Sequence, residues 1–299
     1  MRIIPLGTSA GTPTLRRNVA SFAIGLERGW LLIDCGEGTQ YRLLAAPVRT
    51  GRLDSVLISH LHGDHVYGLP GLLASLSLNG RSAPLPIYGP AGLGKLLHAV
   101  HGAASVHLGF TIEIHEIGDE EIRRTPGYRI EAHELEHSVP SFGFRLAEAE
   151  RPGRFDPVRA RDLGIPEGPL YGKLQRGESV SLPDGRVIES SAVVAASRPG
   201  KVVTYCTDTR PCAASVELAH RADLLIHEAT YGDDHESEAR EYLHSTASEA
   251  AAVARDAGAK RLLLTHFSPR YEDVTPLLQQ ARELFPATEI AEDLAELEV

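Results

Sequence analysis

The chain has 299 residues, 42% hydrophobic and 23% charged, a composition that suits a packed core and excludes global disorder. Thirty basic against forty acidic side chains leave a formal net charge of −10, so no global field draws the chain to nucleic acid. No apolar run reaches the roughly 18 residues of a membrane span, and MRIIPLGTSAGTP lacks the charged and apolar regions of an export signal. Cys35, Cys206 and Cys212 form no CxxC pair, which fits a reducing, cytoplasmic compartment.

Residues 30–33 are the first of five short strand-like runs rich in Leu, Ile and Val, and they lead into Asp34. Residues 55–58 lead into His60, His62, Asp64 and His65. Residues 66–78 and 91–100 read as helices between Gly and Pro punctuation. His137 opens an alternating run with Val139, Phe142 and Phe144 that suits a strand. Residues 146–187 differ in texture, being rich in Pro and Gly and poor in apolar runs. Counted over 145–186 the charge is +1, and the segment reads as a protruding insertion without the apolar surface for a core of its own, turning at Asp184-Gly185. Residues 202–205 lead to Asp208, and 223–226 to His227 and Glu228. A helix over 249–257 is capped by Thr246 with Glu249 completing a T-x-x-E box. Residues 261–265 lead to His266, and a last helix covers 276–284. The mixture predicts an α/β fold, helices outside the sheets, in which strand ends gather polar groups on one edge.

The strongest local signal is SHLHGDH, residues 59–65. Two histidines two apart on an extended segment point the same way, and imidazole with carboxylate suits zinc, manganese or iron. With 14 histidines in the chain, chance produces H-x-H-x-D-H about once in several hundred such chains. One loop cannot close two metal shells, and His137, Asp208 and His266 are further candidates, with His133 a rival for the place of His137.

The H-x-H-x-D-H loop resembles the metallo-β-lactamase superfamily. Further motifs resemble its ribonuclease Z family of tRNA 3′-processing endonucleases: LGTSAGTP, DCGEGTQ, HSVPSFGFR, GIPEGPLYGKLQRG, TDTRP, HEATY, HSTASEAA and THFSPRY. The resemblance runs over essentially the whole chain. It implies a single metallo-β-lactamase domain over 1–299, a two-layer αββα sandwich, with 146–187 as an inserted flexible tRNA-binding arm. It implies two zinc ions per subunit, with manganese also acceptable to the ligand set. One ion would take His60, His62 and His137, the other Asp64, His65 and His266, with Asp208 bridging. The attacking water is activated at the metals, with Asp64 polarising it, and His244, oriented by Glu228, protonates the leaving 3′-oxygen. His227 reads as structural.

The implied activity is zinc-dependent removal of 3′ trailers from precursor tRNA, leaving a 3′-hydroxyl, by a cytoplasmic homodimer with no membrane association. Arg154, Arg159, Arg161, Lys173 and Arg176 of the arm are candidate phosphate contacts, as are Arg17 and Arg270. Two departures from the family pattern stand out: Leu15 occupies the place of a Lys tied to rejecting CCA ends, and Thr207 that of a Gly before Asp208. The alternative within hydrolases is a small-molecule phosphodiesterase or ester hydrolase on the same metals, for which a basic arm has no use. A non-catalytic RNA-binding homologue would have lost ligands or His244, and all are present.

Overall fold

The computed structural model describes residues 1–150 and 153–299. Residues 1–147 and 201–299 make one compact unit, and 148–200 make another.

Two seven-stranded sheets build the larger unit. The first runs in the order Leu297–Glu298, Arg2–Gly7, Ser21–Leu26, Gly29–Ile33, Leu53–Leu57, Leu85–Gly89 and Ile112–Glu116. The second runs Thr288–Ile290, Leu262–Thr265, Leu224–Glu228, Val202–Cys206, Ser141–Glu148, Tyr128–Leu135 and Glu120–Arg124. From Gly29–Ile33 to Ile112–Glu116, and from Val202–Cys206 to Thr288–Ile290, neighbours are parallel. Parallel pairing requires crossovers, which the helices supply, and it sets the C-terminal ends of these strands along one edge of each sheet.

Between the sheets, Phe22, Ile33 and Leu57 meet Phe144, Tyr205 and Ile226. On the outer face of the first sheet, Leu32, Val56 and Ile87 pack under helices Leu69–Leu78 and Leu93–Ala103. On the outer face of the second, Leu225, Leu262 and Leu264 pack under helices Ala247–Asp256 and Thr275–Leu284. These strands are buried on both faces, which is why they read as unbroken apolar runs. The expected αββα sandwich is the observed architecture.

Local differences have local causes. The helix expected over 66–78 is two, Gly63–Val66 and Leu69–Leu78. Pro70 starts the second, where its missing N–H is harmless. Gly68, between them, lies so close to the 34–40 loop that a Cβ would stand 2.0 Å from the Gly36 carbonyl oxygen. The Thr246–Glu249 capping box is formed, and its helix begins at Ala247. His137 lies outside a strand: it sits in the connection before Ser141–Glu148, whose residues are largely buried on both faces. No helix among the described residues is long and apolar enough to cross a membrane.

The smaller unit corrects one expectation, that this segment lacks a core. Helices Pro157–Asp162 and Pro169–Gln175 and the hairpin Val180–Ser181/Val187–Ile188 bury Ala160, Ile165, Leu174, Val180, Leu182, Ile188 and Val193 together. Within 146–187 these apolar residues are scattered singly in sequence, so no run announces them there, and Val193 lies beyond, in the apolar run 192–196. The hairpin turns at Asp184-Gly185, with Gly185 at φ 88°. The unit reaches residue 200, past 187, because Val194 returns to bridge Phe155. Within the expected arm, residues 151 and 152 lie outside the described residues.

Candidate metal centre

Loops leaving the parallel strands, with the 136–140 connection, bring seven side chains together. His60, His62, His137 and Asp208 offer ligand atoms within 4.8 Å of one another, and so do Asp64, His65 and His266. Asp208 lies between the two groups. Its Oδ1 is 3.7 Å from His60 Nε2 and 3.8 Å from His137 Nε2, while Oδ2 is 3.1 Å from His65 Nε2 and 3.2 Å from His266 Nε2. The strand ends reverse sharply here: Asp34, Asp208 and His266 have φ of 55°, 46° and 57°. Left-handed backbone costs a non-glycine residue roughly 1–2 kcal/mol and persists only where its surroundings enforce it.

Four rings are gripped by their outward nitrogen. His65 Nδ1 lies 2.8 Å from Asp34 Oδ2, His137 Nδ1 3.2 Å from the Leu243 carbonyl, His60 Nδ1 3.0 Å from Ser59 Oγ and His266 Nδ1 3.0 Å from Thr230 Oγ1. Carboxylates and carbonyls only accept, so His65 and His137 carry a proton on Nδ1. The inward nitrogens crowd one another, with His60 Nε2 3.0 Å from His62 Nδ1 and His65 Nε2 3.2 Å from His266 Nε2.

Charge tells the same story. Burial, with the neighbouring His65, holds the His60 pKa well below its ordinary value, and burial lowers that of His137. Burial opposes ionisation of Asp208 and Asp64, yet the surrounding histidines hold both well below the usual carboxylate range. Burial also opposes charge on His65, but Asp208, Asp34 and Asp64 together raise it well above the ordinary value. Lone pairs and carboxylates thus converge on a place that attracts positive charge. The donor set fits metal ions, and the rings carry the outward partners that orient metal-binding histidines.

Beside this cluster stands an imidazole–carboxylate pair. Leu243, left-handed at φ 57°, ends helix Glu236–Tyr242 and delivers His244. His244 Nδ1 donates to Glu228 Oε1 at 2.9 Å, and the ring lies 5.1 Å from that of His137 and 5.7 Å from that of His266. Glu228 is fully buried and also accepts from the Thr209 backbone N–H at 2.7 Å and the Ser245 backbone N–H at 3.0 Å. Burial alone would lower the His244 pKa, but the charge and hydrogen bond of Glu228 raise it to about 9. Burial would raise Glu228, but the charge of His244 brings it down to about 2. At neutral pH the pair is an imidazolium held by a carboxylate, a proton donor near the cluster.

A model of the β-lactamase superfamily domain matches residues 29–155 and 178–267. A ribonuclease Z from Salinibacter ruber is 47% identical over 302 residues, spanning 99% of this chain and 94% of that protein. The chain belongs to the ribonuclease Z family. A second ribonuclease Z, from Brevibacillus brevis, is 46% identical over 303 residues, spanning 98% of this chain and 95% of its own. Among solved structures, the short form of human tRNase Z superposes with a TM-score of 0.71 at 28% identity, covering 100% of this chain and 99% of that one.

The departures from the ribonuclease Z pattern have visible consequences. Thr207 donates its hydroxyl to Asp208 Oδ2 at 2.9 Å, a bond that a glycine there cannot make. Leu15 is wholly exposed, in a loop that reaches the centre where the Gly11 N–H donates to Asp64 Oδ2 at 2.8 Å. Arg17 is committed inward: it donates to Thr8 Oγ1 and the Ala291 carbonyl, each at 2.8 Å, with its guanidinium 4.9 Å over the Phe267 ring. Arg270 is exposed and lies 5.0 Å over the ring of Tyr231, which is 6.0 Å from that of His244. In the smaller unit Arg161 pairs with Glu167 at 3.5 Å and Arg176 with Glu178 at 2.8 Å. Arg154, Arg159 and Lys173 are exposed and have no acidic partner among the described residues.

Asp208, His244 and His266 also offer ligand atoms within 4.8 Å of one another, and His133 belongs to none of the three groups. His227 is a neutral core imidazole, its pKa lowered by burial and its Nδ1 2.8 Å from the Glu228 carbonyl. Sequence reasoning marked Asp34 as a strand end without giving it a task, and passed over Ser59 and Thr230. Each sits inside a recognised motif, which was the available signal.

Proposed function

We propose that this chain is a zinc-dependent endoribonuclease that removes 3′ trailers from precursor tRNA, leaving a 3′-hydroxyl on the tRNA and a 5′-phosphate on the trailer. The observation that carries the reading is the Glu228–His244 pair set beside two donor groups that share Asp208. His60, His62 and His137 would hold one ion and Asp64, His65 and His266 the other, with Asp208 common to both. Bound there, two divalent cations would supply Lewis-acid chemistry, acidifying a water and neutralising charge on the scissile phosphate.

The chain's own groups do the rest. His244 gives its proton to the departing 3′-oxygen of the tRNA, and Glu228 keeps the ring charged and oriented until it does. Asp64 orients the attacking water, itself held by the Gly11 N–H. Arg270, at the side of His244 and backed by Tyr231, meets a phosphate next to the scissile one. Arg154, Arg159 and Lys173 meet phosphates farther along the RNA, which lets a chain of net charge −10 bind a polyanion. By family the reading extends to a cytoplasmic homodimer.

The test is end analysis after cleavage of a 3′-extended precursor tRNA. The proposal expects one cut at the trailer junction, a tRNA 3′-hydroxyl and a trailer 5′-phosphate. A cyclic phosphate at the cut, or an intact precursor while small diesters are hydrolysed, would contradict it.

A further inference from the structure

Two buried carboxylates outside the donor groups are arranged alike. Asp34 receives His65 Nδ1 at 2.8 Å, and Glu228 receives His244 Nδ1 at 2.9 Å. Each also meets the hydroxyl of a Ser or Thr: Ser59 Oγ is 2.9 Å from Asp34 Oδ2, and Thr230 Oγ1 is 2.6 Å from Glu228 Oε2. Each hydroxyl in turn touches a second histidine, Ser59 the Nδ1 of His60 and Thr230 the Nδ1 of His266, both at 3.0 Å.

The directions of these bonds follow from donor and acceptor inventory. An ionised carboxylate only accepts, and a hydroxyl has one hydrogen. Ser59 and Thr230 therefore donate to Asp34 and Glu228, and they accept from His60 and His266. Both rings then carry their proton on Nδ1 and present an Nε2 lone pair toward Asp208, at 3.7 Å and 3.2 Å. The carboxylates are pinned by further donors: the Ser59 N–H at 2.8 Å and the Tyr205 hydroxyl at 2.9 Å on Asp34, the Thr209 and Ser245 N–H groups on Glu228. Asp34, Ser59 and Glu228 are 0% exposed and Thr230 4%, so water does not compete for these bonds.

We propose that Ser59 and Thr230 are positioning residues, hydroxyl relays through which Asp34 and Glu228 fix the tautomers of His60 and His266. Each carboxylate sets two histidines, one directly and one through a hydroxyl. Glu228 thereby serves the proton donor His244 and the ligand His266 at once, so the acid and the metal centre are built on one group. The inference rests on the reading of His60 and His266 as metal ligands.

The test is Thr230→Val, which keeps the shape and removes the acceptor for His266 Nδ1–H, beside Thr230→Ser, which restores a hydroxyl. Zinc and manganese affinity is measured by competition with a chromophoric chelator, and the unfolding midpoint is measured on metal-stripped protein. Thr230→Val is expected to bind metal roughly 10–100-fold more weakly, with the metal-stripped midpoint lowered by only a few degrees, as the loss of a buried hydrogen-bonding hydroxyl lowers it. Thr230→Ser should recover most of the affinity, and Ser59→Ala should repeat the loss. Wild-type affinity in Thr230→Val, or equal weakness in Thr230→Ser, overturns the relay. A large, equal fall in the stripped midpoints of the two Thr230 variants overturns it too, since it marks packing. If wild type takes up neither metal, the metal reading itself fails, and that result appears before any substitution is made.

Discussion

Tyr205, on the second sheet, donates its hydroxyl to Asp34, at the end of a first-sheet strand, at 2.9 Å. The bond crosses the middle of the sandwich and ties the two sheets together at the edge where the candidate ligands gather. Tyr205 is fully buried, and burial beside Asp34 raises its pKa well above the ordinary value, so it remains a donor at all working pH. Asp34 passes the constraint on to His65.

Removing Asp34 should therefore cost both fold and metal. Asp34→Ala leaves Tyr205, Ser59 and His65 without their acceptor and is expected to destabilise by about 3–5 kcal/mol, as when one partner of a buried charged pair is removed. Tyr205→Phe removes one donor of several and should cost about 1–3 kcal/mol. Urea unfolding of the metal-stripped proteins orders the two, and the account requires Asp34→Ala to be the more severe.

His244→Ala is expected to lower kcat on precursor tRNA by roughly 10²–10⁴-fold, the span of general acid catalysis. Metal content should stay at the wild-type level, because the His60–His62–His137–Asp208 and Asp64–His65–His266 groups are complete without His244, whose Nδ1 is held by Glu228. Metal analysis run beside the kinetics separates the two effects, and a parallel loss of metal would move His244 into the ligand set.

The Glu228–His244 pair also makes stability depend on pH. The His244 pKa rises from an ordinary 6.5 to about 9 in the folded chain, so its contribution is complete below 6.5 and disappears as pH rises through about 9. Glu228 falls from 4.5 to about 2, so its contribution is complete above 4.5 and lost as pH falls through about 2. In metal-stripped protein, the stability gap between wild type and His244→Gln should be widest near about pH 6 and shrink toward about pH 9. A gap that grows over that range would reverse the assignment.

The sequence made the strand ends legible because parallel strands buried on both faces leave plain apolar runs, and those runs stop at Asp34, Asp208 and His266. The HGDH loop and the capping box at Thr246 were legible because their chemistry is local. The pairing of His65 with Asp34, thirty-one positions away, was not, because only the parallel register of Gly29–Ile33 with Leu53–Leu57 brings them together. Nor was the core of residues 148–200, whose buried side chains are never adjacent in sequence. The bonds of Arg17 to Thr8 and the Ala291 carbonyl were not legible either, because Ala291 lies 274 positions away in the sequence.

Within residues 148–200, the cations without an acidic partner among the described residues should matter most. Ala at Arg154, Arg159 or Lys173 is expected to weaken precursor tRNA binding and to reduce the slope of log K against log salt by about one for each phosphate left unneutralised. Ala at Arg161 or Arg176 should do less, since Glu167 and Glu178 already partner those side chains. Hydrolysis of bis(p-nitrophenyl) phosphate should not change in any of the five. Binding titrations over a range of salt check the order.

The most direct test of the account is single-turnover cleavage of a 3′-extended precursor tRNA by metal-stripped protein, by protein reloaded with zinc, and by reloaded His244→Ala. The account predicts no cleavage by the stripped protein, a single cut at the trailer junction after reloading, and slow cleavage at the same junction by fully loaded His244→Ala. An intact precursor with reloaded wild type, alongside brisk hydrolysis of bis(p-nitrophenyl) phosphate, would leave the metal centre standing and contradict the tRNA assignment.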